Sequence, residues 1–102
     1  MQTILKKLNI KVKTCNTFKT RLCGFMFQRR KINHALYFPH CRSIHTWFML
    51  QKIDVIMTDN KHQLLYTYKA LKPFCLLTPK KNVAHIYELP LGTIEKIKNS
   101  GL

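Results

Sequence analysis

Acidic residues are scarce in this chain. Asp54, Asp59, Glu88 and Glu95 stand against 18 Lys and Arg, giving a formal charge of +14 over 102 residues. So few carboxylates, two of them in one strand and its turn, exclude the facing acid pair of glycoside chemistry. Glycine is rarer still, at three positions, and neither a Gly-rich phosphate loop nor a nucleophile elbow occurs. The four cysteines, Cys15, Cys23, Cys41 and Cys75, never form a Cys-x-x-Cys pair. That excludes zinc-knuckle and thioredoxin-type motifs and leaves reduced, mostly buried thiols as the expectation. No apolar run approaches the roughly 18 residues of a membrane span. Lys6 and Lys7 break the first apolar cluster, where a signal peptide needs an uninterrupted one. A cytoplasmic protein is expected.

What is present suits a folded chain. With 46% hydrophobic and 11% aromatic residues the composition is globular, and 102 residues allow one modest core. The expectation is a single domain over 1–102, residues 1–9 flexible, folding without a metal or a disulfide. "LNIKVKT" (8–14) alternates Leu8, Ile10 and Val12 with polar neighbours, the period of a half-buried strand. Asn16 or Thr17 can cap a short helix over about 16–24 that carries Phe18, Leu22 and Phe25 inward and closes at Gly24. "ALYF" (35–38), "TWFM" (46–49), "DVIMTD" (54–59), "LLYTYKA" (64–70) and "AHIYEL" (84–89) read as strands, with Asp59-Asn60 as a turn. "LKPFCLLTP" reads as an irregular or edge segment, and a last helix over about 93–99 starts at a Thr93 cap and stops at Gly101. Short strands at regular spacing with two short helices predict a mostly β fold, a small antiparallel β-sandwich or barrel-like sheet. No helix is long enough for a βαβ crossover, which argues against parallel pairing.

Four stretches carry a family resemblance. Arg21, Gly24, Phe25 and Met26; Cys41 through Asp59; Leu71 to Pro73; and Tyr87 to Thr93 lie in an order and spacing that resembles the prokaryotic family catalogued as domain of unknown function 192, or uncharacterised protein family 0127. The resemblance covers about residues 10–102 and implies a compact, mostly β single domain resembling a sandwich, with no assigned biochemical role. Members of that family usually run past the last helix into a closing strand. This chain stops at Leu102, so the expectation is either a truncated chain or a sheet closed without that strand and with an exposed edge. The basic surface is not a property that the resemblance implies.

The polar side chains of "CRSIHTWFM" raise the question of a site. Strict alternation leaves neither face of the stretch apolar, so residues 40–46 are expected to form a loop or bulge, with the strand beginning at Thr46 or Trp47. Ser43, His45 and Thr46 then either satisfy backbone groups at the reversal or, with Met49 and Asp54, line a shallow cleft for a small polar ligand or protein partner. Asp54 interrupts an apolar strand and calls for a partner such as Arg21, Lys72 or His45. Glu88 is expected to face solvent across from a lysine.

The leading expectation is a non-enzymatic binding or accessory domain without metal or cofactor, its cleft near His45. The alternative is a nucleic-acid or anionic-surface binder using Lys6, Lys7, Lys11, Lys13, Arg29, Arg30 and Lys31, of which only 28–31, "QRRK", form a tight run. A third reading is a metal-dependent or hydrolase-like enzyme. His40, Cys41 and His45 offer metal-ligand chemistry without a fourth ligand, and Cys41 or Cys75 with His45 and Asp54 can be drawn as a triad.

Overall fold

The computed structural model describes residues 1–101, so the expectation of a sheet lacking a strand beyond Leu102 lies outside the described residues. Strands β1 (Lys11–Thr14), β2 (His34–Phe38), β4 (Ile53–Thr58), β5 (Leu64–Leu71) and β7 (His85–Leu89) form one open sheet in the order β1-β2-β7-β4-β5. β3 (Ile44–His45) and β6 (Leu76–Leu77) form a separate two-stranded ribbon. Three short helices complete the fold: α1 (Gln2–Lys7), α2 (Phe18–Cys23) and α3 (Thr93–Asn99). The mostly β fold expected from strand spacing is what forms.

Every residue of β4 and β7 is buried, because these central strands are covered on both faces. Ile53, Val55, Met57, Leu36, Phe38 and Ile86 point to one face, where Ile44, Met49 and Phe25 pack on them. Ile56, Ala35, Tyr87 and Leu89 point to the other, under Leu5 of α1 and Ile94 of α3. Alternation along each strand thus feeds two cores separated by the sheet.

Several elements differ from the expectation. Strand one begins only at Lys11; Asn9 turns the chain with φ 59° after α1, whose Leu5 is fully buried and whose Lys6 and Lys7 sit favourably at the C-terminal end. β1 lies parallel to β2, since residues 15–33 with the short α2 suffice to carry the chain back. α2 has the expected Thr17 cap, with reciprocal bonds between Thr17 and Thr20, but it presents Phe18 (82% exposed) and Leu22 to solvent and buries none of its own residues; Phe25, in the turn that follows it, reaches the core. "TWFM" is not a strand: the ladder pairs form one step earlier, at Ile44 and His45, and Trp47 and Phe48 lie in a turn.

Two buried acids shape the fold, and neither has the partner expected from sequence. Asp54 Oδ1 accepts from Ala70 N at 3.0 Å and Oδ2 from Ile94 N at 2.9 Å, so the carboxylate binds amides rather than Arg21, Lys72 or His45. The first turn of α3 is therefore capped from a distant strand, while the Thr93 hydroxyl, the expected cap, donates to Pro90 O. Glu88 does not face solvent. It is fully buried, its Oε1 has no hydrogen-bond partner, and burial pushes its pKa from 4.5 up to about 8 against the lowering effect of a Phe25 backbone hydrogen bond. The backbone makes room for it at Gly24, where a Cβ would stand 2.8 Å from Oε1 and φ is +49°.

Two outcomes follow from these acids. Asp54→Ala leaves the buried Ile94 amide and the part-buried Ala70 amide without this acceptor and should cost about 2–4 kcal/mol in urea unfolding, with Asp54→Asn, which keeps one acceptor, falling in between; an unchanged midpoint would remove the clamp. For Glu88 the folded pKa exceeds the unfolded value, so its contribution is full below pH 4.5 and is lost as pH rises toward 8. Urea midpoints should decline over that range in the native chain and decline less in Glu88→Gln. Parallel pH profiles for the two proteins would contradict a buried neutral acid.

Candidate functional site

Thr46 is the knot from which the most distinctive surface is built. Its hydroxyl donates to Lys72 O at 2.7 Å and accepts from Cys75 N at 2.8 Å. Its backbone N–H donates to Cys75 O, and its carbonyl accepts from Phe74 N at 3.0 Å. Phe27 N donates to Phe48 O, and Gln51 clamps the next segment by donating to Gln28 O and Arg30 O while accepting from Ile32 N. Loops 26–32, 46–52 and 72–76 are thereby fastened into one surface.

That surface is aromatic. Phe27 and Phe48 stack with centroids 5.6 Å apart, Phe48 meets Phe74 edge-on at 5.9 Å, and Trp47 lies 5.0 Å from the His45 ring. The rings stay outside the core, at 64% exposure for Phe27, 49% for Phe48, 66% for Phe74 and 47% for Trp47. Phe27, Phe48 and Phe74 share φ near +60°, a region that bulky side chains rarely adopt and that costs roughly 1–3 kcal/mol each. The loop fastenings hold these residues there against that cost. Exposed Leu50 and Leu76 widen the patch beyond scattered surface hydrophobics.

Cations border it and acids do not. Arg29, Arg30, Lys31, Lys52 and Lys72 are exposed in the same three loops. Asp54 and Glu88 are buried, Asp59 accepts from the Lys61 and Gln63 amides in its own turn, and Glu95 pairs with Lys69. The remaining candidate cations, Lys6, Lys7, Lys11 and Lys13, lie on α1 and β1, where Lys6 and Lys11 help line a cavity of about 760 Å³.

The residues proposed from sequence for a polar cleft do not gather around one. His45 Nδ1 accepts from Trp47 N at 3.2 Å, the Ser43 carbonyl accepts from the Cys41 thiol, and Thr46 is spent on the loop knot. Met49 is buried in the core that contains Ile44, whereas Asp54 turns to the opposite face, toward α3. Among the described residues no group of three or more His, Cys, Asp or Glu side chains is placed to hold a metal. The opposite end of the sheet carries a histidine group: His62 stacks on buried His85 at 4.4 Å, His40 lies 5.4 Å away, and Tyr37 Oη is 3.0 Å from His85 Nδ1. Burial, then the neighbouring His62 and His40, lower the His85 pKa.

Sequence reading missed the aromatic face because its rings come from three distant segments. The local signals are the "QRRK" run after Phe27 and the Lys72-Pro73 pair before Phe74; Phe48, between Trp47 and Met49, has none.

The chain matches the family model DUF192, described as Uncharacterized ACR, over residues 1–100. It is 39% identical over 94 residues to a UPF0127 protein of Thermococcus kodakarensis, covering 86% of this chain and 59% of the relative. A UPF0127 protein of Pyrococcus horikoshii is 34% identical over 91 residues, with 85% of this chain and 78% of the relative covered. The chain therefore spans about three fifths of the length of the Thermococcus relative. In fold it is similar to the crystal structure of a protein of unknown function from Novosphingobium aromaticivorans, with a TM-score of 0.74, 12% identity, and 87% of this chain and 69% of that one covered. The chain belongs to the DUF192 (UPF0127) family.

Proposed function

We propose that this chain is a non-enzymatic binding module for polyanions and that the three-loop face beside His45 is its contact surface. The observation that carries the reading is the grouping of Arg29, Arg30, Lys31, Lys52 and Lys72 around exposed rings, with every acid buried or engaged elsewhere. Release of counterions from a polyanion supplies favourable free energy in proportion to the charges neutralised, and needs no enclosed pocket. A face of this kind meets that requirement, whereas catalysis would need a nucleophile and base within reach of each other.

Of the residues expected to line a cleft for a small polar ligand, His45 lies on this face, its ring against that of Trp47. Thr46, Met49 and Asp54 support that face or the core from within. Lys6, Lys7, Lys11 and Lys13 form a second basic zone that can extend the contact of a long polyanion.

Heparin chromatography and a salt titration test the reading. The native chain should be retained in low salt, and Arg29→Ala/Arg30→Ala/Lys31→Ala should elute earlier. With a single-stranded polyanion its log K against log salt slope should be shallower by about 2, at about 0.7 per phosphate contact. Lack of retention near 50 mM salt, or a triple variant that behaves as the native chain does, would overturn it.

A further inference from the structure

Resting on that reading, we infer that the polyanion is a single-stranded nucleic acid, whose bases stack on Phe27, Phe48, Phe74 and Trp47 while its phosphates meet Arg29, Arg30, Lys31, Lys52 and Lys72. Charge alone would accept any polyanion. The rings narrow the choice, because flat exposed π faces beside cations are what unpaired bases and their backbone require.

Two features of the surface support base stacking. The rings are fixed: Phe27 and Phe74 are held by main-chain bonds to Phe48 O and Thr46 O, and Phe48 sits between their rings. A fixed row loses little freedom on binding, so more of the stacking energy appears as affinity. The rings are also held in left-handed backbone, where asparagine or glycine would sit more easily, and they remain about half or more exposed. A duplex keeps its bases stacked inside and can offer only its phosphates to this face. An anionic membrane favours an apolar stripe able to sink below the headgroups, whereas these rings pack on one another within short, tied turns.

Fluorescence anisotropy with a labelled oligothymidylate of about fifteen nucleotides, a duplex of equal length, and vesicles of neutral lipid with and without phosphatidylglycerol separates the possibilities. Trp47, the only tryptophan, supplies a second signal, since a base stacked on it quenches its emission. We expect the single strand to bind about tenfold or more tightly than the duplex and to quench Trp47. Phe48→Asn/Phe74→Asn removes two rings while suiting the left-handed backbone, so its far-UV circular dichroism should be unchanged. Its affinity for the single strand should fall about tenfold or more, a larger loss than any shift in its heparin elution. Equal binding of strand and duplex, or an unaltered affinity in the double variant, would overturn the inference and leave the polyanion reading standing. Preferential binding to the anionic vesicles, or a concentration-dependent dimer that protects Trp47 from quenching, would overturn it in favour of a membrane or a second copy. Loss of heparin retention in the native chain would remove both.

Discussion

A single carboxylate joins the parts that would otherwise drift apart. Asp54 sits near the start of the fully buried β4 and spends its two oxygens on amides of β5 and α3. A buried charge is tolerable only when its solvation is replaced, and backbone N–H groups at a helix start replace it well, since the helix dipole adds to the hydrogen bond. Through that one side chain the central strand sets where the edge strand bends and where the last helix begins. α3 then lays Ile94 over Ile56, Tyr87 and Leu89, and the second core is closed.

The parts of the fold governed by local chemistry were readable from the sequence. The Thr17 cap, the Asp59 turn and the strand segments 54–59 and 84–89 each specify their element within a few residues. What was not readable depends on partners far along the chain. The role of Asp54 is settled by Ala70 and Ile94, and the burial of Glu88 by the space left at Gly24. Phe18 and Leu22 show the same limit from the other side: their spacing suits a core-facing helix, yet α2 buries none of its residues and only Phe25, in the turn after it, joins the core.

For the candidate site, the sequence pointed to a chain reversal and not to the rings. Residues 46–49 of "CRSIHTWFM" lie in one of the three loops, and the expectation that polar side chains satisfy a chain reversal describes Thr46, whose hydroxyl bonds backbone groups of Lys72 and Cys75. The ring cluster could not be seen, because period and propensity give no reason to place three phenylalanines in left-handed backbone. Only the long-range bonds of Thr46 and Gln51 bring Phe27, Phe48 and Phe74 within ring contact.

An open sheet has two edges, and both are blunted. β1 is only four residues long and carries exposed Lys11 and Lys13. β5 shows Leu64, Leu65 and Tyr66 to solvent, which would make it a template for another strand. Its pairing with β4 is interrupted by two register shifts, Ala70 turns left-handed at φ 52°, and its N–H is taken by Asp54. The Ala70 N–H faces β4 within the bulge, so the outer row of β5 is interrupted there by the bend of the backbone. The same carboxylate that anchors α3 thus also pins the place where the open edge departs from a straight pairing template, a bend that disfavours addition of a further strand at that end.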